Sequence, residues 1–180
     1  MQAALPPNEA DRLFILRSLN LLDTPIDERF DRITRIVCNA LNVPISAISL
    51  VDSARQWFKS AQGANTRQML RSESFCAHAI LGDDILVVND ATKDVRFMDN
   101  PLVTAGPKIR FYAGYPISIR NSYNIGALCA IDIKPREISS QHVTLMKDLC
   151  KMVESEIAAT CMSESHYELL KEMEMARVAK

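Results

Sequence analysis

The stretch Ser74-Phe75-Cys76-Ala77-His78-Ala79-Ile80 sets a thiol and an imidazole two residues apart inside an apolar run. Such a pair can act as nucleophile and base, or as two metal ligands. The local backbone decides whether the two can meet. Gly82 on one side and Ser72 or Ser74 on the other mark the ends of a short helix. In a helix each residue turns by about 100°, so Cys76 and His78 point roughly 200° apart. Phe75 and His78 then share one face, and Cys76 shares the other with Ala79 and Ile80. The spacing opposes a local Cys–His dyad. Cys76 reads as a compact buried thiol, with a reactive thiol as the alternative. His78 reads as a histidine at a pocket edge or in contact with a ligand. No second ligand stands three or four residues from it, which argues against a metal site.

The rest of the chain narrows the chemistry further. Its 180 residues suffice for one domain with a sizeable core; 48% are apolar, 24% are charged and the formal net charge is -1. No run of five or more lysines and arginines offers a nucleic-acid interface. The N-terminus lacks a basic start followed by an apolar signal core, and no apolar run reaches bilayer length. The five cysteines, at 38, 76, 129, 150 and 161, form no CxxC pair. That pattern predicts reduced thiols in the cytoplasm rather than a disulfide frame or a zinc site. No GxxxxGK[ST] loop occurs. With no paired carboxylates, metal cluster or nucleophile–base spacing, a non-catalytic module is expected.

The elements that must position these residues follow from periodicity. An N-terminal helix after Pro7 and Asn8 carries Leu13, Leu16 and Leu19 with Phe14 and Ile15. A second helix is expected from Thr24-Pro25 to Asn42, with Phe30, Ile33, Val37, Ala40 and Leu41 on its apolar face. Strands are predicted at 43–52, 55–63, 84–90, 110–119 and 124–133, and a polar loop at 64–73. A long connection with one helical turn occupies 93–108. A long helix capped at Ser139 or Ser140 follows and continues into the tail. Hairpin-linked strands predict a mainly antiparallel sheet of about five to six strands in an α+β fold. The long N- and C-terminal helices would cover one face, and the short helix and loops would enclose a pocket on the other. On the strand 110–119, alternation puts Arg110, Tyr112 and Gly114 on one face and Phe111, Ala113 and Tyr115 on the other. The pattern does not say which face meets the pocket.

The segments EADRLFILRSLNLLDTPIDERFDRIT, VDSARQWFKS, SFCAHAIL, VVNDATKDVRFMDNPLV, IRFYAGYPI and IGALCAID, in this order, resemble a GAF domain over residues 8 to 160. GAF domains are similar to PAS domains in placing a pocket on one face of a small antiparallel sheet. The resemblance implies a bacterial, cytoplasmic sensor module for a small molecule that the sequence does not name. Two alternatives come with it: a free methionine sulfoxide reductase, which needs several cysteines converging on the pocket, and a ligand-free dimerisation unit. The NKxnFx3DE pattern of cyclic-nucleotide-binding members is absent. Bilin-binding members carry Cys followed directly by His, where this chain has Ala77 between.

The expected pocket lies between the sheet and the segments 74–81 and 93–112, lined by Phe75, Cys76, His78, Asp90, Phe97, Arg110 and Tyr112. Asp90 also reads as the cap of the turn after its strand, and Arg96 and Arg110 as partners of Asp90 and Asp94. Of the remaining cysteines, Cys38, Cys150 and Cys161 fall on helices and Cys129 on a strand, so little convergence is expected. Residues 1–160 form the sensor domain and 161–180 a signalling helix. In that helix Met162, His166, Leu169, Met173 and Ala176 alternate steps of four and three, the seam of a short coiled coil. A homodimer through this helix is expected, leading to an output domain such as a diguanylate cyclase or a histidine kinase.

Overall fold

A computed structural model of the protein describes residues 2–120 and 122–178, with side chains as far as Cys161. Helices α1 (Glu9–Ser18) and α2 (Glu28–Leu41) lead into strands β1 (Ile45–Val51), β2 (Arg55–Gln62) and β3 (Gln68–Leu70). A 3-10 turn (Arg71–Glu73), α3 (Cys76–Ala79), β4 (Leu86–Val88) and α4 (Pro101–Thr104) follow, then β5 (Phe111–Ile119), β6 (Tyr123–Asp132) and α5 (Ser140–Val178). The strands form one open sheet in the order β3-β2-β1-β6-β5-β4, every neighbouring pair antiparallel. The expected α+β architecture is present, with β3 as an edge strand inside the segment read as a polar loop. No helix among the described residues is long and apolar enough to cross a membrane.

The sheet is buried on both faces. One face carries Ile48, Leu50, Trp57, Phe111, Ala113, Ile117, Leu128 and Ala130. It packs against Leu16 of α1, Phe30, Ile33 and Val37 of α2, and Met146, Leu149, Val153 and Ile157 of α5. The other face carries Ala47, Phe58, Tyr112, Ala127 and Cys129 beneath α3 and the segment from Ala91 to Ile109. This is the three-layer arrangement that alternating apolar residues require when both faces of a sheet are covered.

Local chemistry sets the helix ends. Asp27, not Thr24, caps α2: its carboxylate accepts from the Arg29 N–H at 3.0 Å. Thr24 instead donates to the Leu21 carbonyl at 2.7 Å and accepts from Lys59 Nζ at 2.8 Å. Asn42 closes α2 in the left-handed conformation at φ 51°. Ala40, expected on the apolar face, is exposed. In β2 a bulge at Lys59 lets Lys59 and Ser60 both turn toward α2. Ser139 caps α5 by accepting from the His142 N–H at 3.2 Å.

The N-terminal helix differs from its expected apolar face. Phe14 is 72% exposed, whereas Arg12 is fully buried beside Leu16. Arg12 donates to the Val51 carbonyl at 2.7 Å and forks onto both oxygens of Glu9 at 2.8 and 2.9 Å. Arg71 meets the same Glu9 carboxylate from the 3-10 turn and donates to the Asp52 carbonyl at 3.0 Å. Burial alone would raise the Glu9 pKa. The hydrogen bonds and charges of Arg12 and Arg71 outweigh burial and bring it down to about 2.

On β5, Gly114 is a steric requirement. A Cβ there would lie 2.1 Å from the Tyr112 hydroxyl and 2.5 Å from Cζ. The phenol ring therefore lies along the strand over the glycine.

Two outcomes follow from these contacts. Glu9 has its pKa lowered from 4.5, so the stability it supplies is complete above that pH and is lost as pH falls toward 2. Glu9→Gln should lower stability at pH 7 by about 3 kcal/mol, because it leaves Arg12 buried without its counter-charge. In urea titrations the gap between the two proteins should close between pH 4.5 and 2; a constant gap would refute the assignment. Gly114→Ala should destabilise by about 2 kcal/mol through overpacking. Combined with Tyr112→Leu it should cost less than the sum of the two single changes, as read from denaturation midpoints.

Candidate functional site

A cavity of about 180 Å³ opens between the sheet and the segments above it. Its floor is Ile45 and Ala47 of β1, Gln56 and Phe58 of β2, Tyr112 of β5 and Ile131 of β6. Its walls come from residues 64–76, including Met69 of β3, and from residues 102–109. The expected pocket face is correct. The upstream wall, however, is formed by the 64–76 segment rather than by α3 alone.

Of the seven expected lining residues, Phe75, Cys76 and Tyr112 bound the cavity. The other four stand elsewhere. Phe97 lies behind the wall, its ring stacked on Phe75 with centroids 4.0 Å apart and planes at 6°. His78 meets the Phe97 ring edge-on at 4.7 Å. The two residues on one helical face, Phe75 and His78, thus grip one aromatic ring, and His78 supports the wall without reaching the cavity. Asp90 accepts from the Thr92 N–H at 3.1 Å and from its hydroxyl at 2.7 Å, so it caps a turn. Arg110 pairs with neither Asp90 nor Asp94. It donates to the carbonyls of Val103 and Ile109, both at 3.0 Å, and so fastens the loop that carries the downstream wall. Arg96 pairs with Asp94 at 2.5 Å. Asp132 accepts from the Lys134 N–H at 3.1 Å and from Arg136 Nε at 2.5 Å, which closes the end of β6.

The short helix that presents Cys76 starts because the Ser74 hydroxyl accepts from the Ala77 N–H at 2.9 Å while donating to the buried Gln56 side chain. Cys76 then projects onto the sheet, where the Tyr112 hydroxyl donates to its sulfur at 3.2 Å. Cys129 of β6 faces the same side of the sheet and donates to the Ala47 carbonyl at 3.5 Å, but Cys76 alone of the five cysteines bounds the cavity, in line with the expectation of little convergence. The neighbouring Cys129, Ser49 and Tyr112 hold the Cys76 pKa below the ordinary thiol value against burial. Cys129 is pushed well above that value by the neighbouring Cys76 and by burial. Burial pushes Tyr112 up as well. The other thiols lie away from the cavity: Cys150 sits on the buried face of α5 with its pKa raised by burial to about 12, and Cys38 and Cys161 are half-buried. Among the described residues, no three His, Cys, Asp or Glu side chains are grouped to hold a metal.

Several lining residues escaped the sequence reading, chiefly Gln56, Met69 and Glu73. The one available signal was Met69-Leu70, an apolar pair inside an otherwise polar segment. Arrangement and chemistry together give a mostly apolar chamber with Phe58 and Tyr112 in its floor and Cys76 at one side, and with Gln56, Thr66 and Glu73 as the further polar residues among its lining. It can enclose a small molecule.

Comparison with known proteins agrees with this architecture. The family model for the GAF domain matches residues 25–157. A cyclic di-GMP phosphodiesterase of Pseudomonas aeruginosa is 40% identical over 153 residues, 84% of this chain and 26% of that protein. The chain therefore spans about a quarter of the length of this relative. Among solved structures, the GAF domain of a phosphoenolpyruvate-protein phosphotransferase from Coxiella burnetii superposes with a TM-score of 0.64 at 14% identity, covering 87% of this chain and 98% of that one. A free methionine-R-sulfoxide reductase from Neisseria meningitidis, solved with its substrate, gives 0.62 at 15% identity and covers 91% and 98%. The expectation of a non-catalytic protein is overturned here, because the 40% identical relative is named as an enzyme. The fold, the cavity on one sheet face and the match over residues 25–157 establish that the chain belongs to the GAF domain family.

Proposed function

We propose that this chain is the small-molecule-sensing part of a longer cytoplasmic signalling protein, and that occupation of the cavity is passed through β5 to α5. One observation carries the reading: the same strand forms the cavity floor and the seat of the C-terminal helix. Tyr112 faces the cavity. Four residues on, the carbonyl of Pro116 accepts from the Cys150 thiol at 3.3 Å, and the Ser118 N–H donates to Glu154 of α5 at 2.9 Å. A ligand that prefers one position of Tyr112 would shift the population of α5 positions by its differential affinity for them. The relative's name favours a cyclic di-GMP phosphodiesterase as output, in place of the diguanylate cyclase or histidine kinase expected from the resemblance. The five free cysteines support a reducing compartment.

The backbone of α5 is helical without a break through residue 161, where the signalling helix was expected to start. At about 1.5 Å per residue its 39 residues span roughly 58 Å. The side chains of the expected seam, from Met162 to Ala176, lie outside the described residues. A homodimer through this helix remains part of the proposal and would supply a partner against which α5 could shift.

Binding is tested by thermal denaturation of the intact chain and of Met69→Trp, which fills the cavity from its β3 wall, across a set of small metabolites. A compound present at a hundred times its Kd should stabilise the wild type by about 2.7 kcal/mol and leave the variant unmoved. Equal shifts in both proteins would place binding elsewhere. For the helix, sedimentation should give a dimer for the intact chain and a monomer for Leu169→Glu with Met173→Glu. The same mass for both would remove the helix as the association surface.

A further inference from the structure

The surface turned to the cavity is almost wholly apolar. Phe58, Met69, Phe75, Leu102, Ile109 and Ile131 are among the residues that bound it. Gln56, Thr66 and Tyr112 also bound it, and each spends hydrogen-bonding groups on the protein itself. Gln56 is buried, and its side-chain oxygen accepts from the Ser74 hydroxyl. The Thr66 hydroxyl donates to the Gln68 carbonyl at 2.7 Å and accepts from the Gln68 N–H at 3.4 Å. The Tyr112 hydroxyl donates to the Cys76 sulfur at 3.2 Å. A buried thiol such as Cys76 packs as a small hydrophobe. Glu73 joins the lining from the 3-10 turn, where its backbone carbonyl accepts from the Asn100 side chain at 3.0 Å.

The accounting of buried polar atoms points the same way. Among the described residues, Ser46 Oγ and Arg71 Nη2 are the buried side-chain polar atoms without a hydrogen-bond partner, and neither residue bounds the cavity. A ligand that brings a hydroxyl or a charge gives up its hydration here and meets almost no polar surface in return. The volume also sets a limit. A dry apolar cavity of about 150 Å³ accepts benzene, so about 180 Å³ accommodates one ring with a few further carbons, or a branched aliphatic body of similar bulk. A cyclic dinucleotide, with two phosphates and two purines, fails on both size and polarity.

We infer that the cavity selects a neutral hydrophobe, a single aromatic ring or a branched aliphatic body that carries no charge and needs no hydrogen bond, packed over Tyr112 and Phe58 and against Met69. This rests on the reading of the cavity as a small-molecule site and adds its ligand class. Shape and apolar burial then set the affinity, and each polar atom on the ligand lowers it. For a ligand that keeps its outline but exchanges a methyl for a hydroxyl, the loss is about tenfold. The signal received is then chemically unrelated to the cyclic dinucleotide in the relative's name.

The test is calorimetric titration of the intact chain at pH 7 with toluene, phenol, benzylamine and benzoate, which share one ring and differ in what it carries. Toluene should bind about tenfold more tightly than phenol, and benzylamine and benzoate more weakly than phenol. NMR of isotope-labelled methionine methyl groups locates the site in the same protein. The signals of Met69 and Met146 are assigned by their absence from the volume-conserving variants Met69→Leu and Met146→Leu. Toluene should move the Met69 signal, at the cavity, and leave that of Met146, in the core on the opposite sheet face. Phenol, benzylamine or benzoate binding as tightly as toluene, with the Met69 signal moving, overturns the ligand class while the cavity remains a binding site. Binding of none of the four, or binding that leaves the Met69 signal in place, overturns the cavity reading as well.

Discussion

Strand β5 alternates its side chains between two separate cores, and the rest of the architecture hangs on that alternation. Phe111, Ala113 and Ile117 pack toward α2 and α5, while Tyr112 packs toward α3. Because a strand's side chains repeat with period two, a displacement on one face is a displacement of the backbone that the other face reads. Gly114 completes the arrangement by leaving room for the Tyr112 ring to lie along the strand, where its hydroxyl reaches Cys76. Cavity floor, Cys76 and C-terminal helix are therefore joined through one backbone segment, without a chain of side chains crossing the sheet.

Electrostatics set the other boundary of the site. Glu9 is the shared counter-ion of Arg12 and Arg71, which arrive from α1 and from the 3-10 turn. Two buried guanidinium groups without it would carry an uncompensated charge, which a protein interior does not tolerate cheaply. The pairing consequently fastens the N-terminal helix to the turn between β1 and β2 and to the segment that continues into Glu73, Ser74 and Phe75. The cavity wall owes its position to a residue more than sixty positions upstream. On the opposite side, the stacked pair Phe75 and Phe97, braced by His78, performs the same service with apolar surface.

The antiparallel α+β plan was legible in the chain because its largest elements bury one periodic stripe each. Phe30, Ile33, Val37 and Leu41 recur at helical spacing in α2, and the β-branched run of β1 and the alternating run of β5 bury as strands do. The polar turn signals between them are local and also readable. The three residues of β3 carry no period of their own; they are a strand only because β2 offers them an edge. Arg12 misled for the complementary reason. A long charged side chain counts as surface in any pattern, and only a distant carboxylate and carbonyl make its burial possible.

At the site the division has the same physical origin. Local rules determined that Cys76 and His78 diverge, that Phe75 and His78 share a face, and that Tyr112 and Phe111 point to opposite sides, since each follows from the repeat of a helix or a strand. Tertiary structure alone decided that Cys76 and Cys129 pack in one core and that Gln56, Met69 and Glu73 replace Asp90 and Arg110 in the lining. Those facts depend on contacts between residues tens of positions apart. Such contacts arise from packing and charge pairing between elements, and no short-range periodicity encodes them.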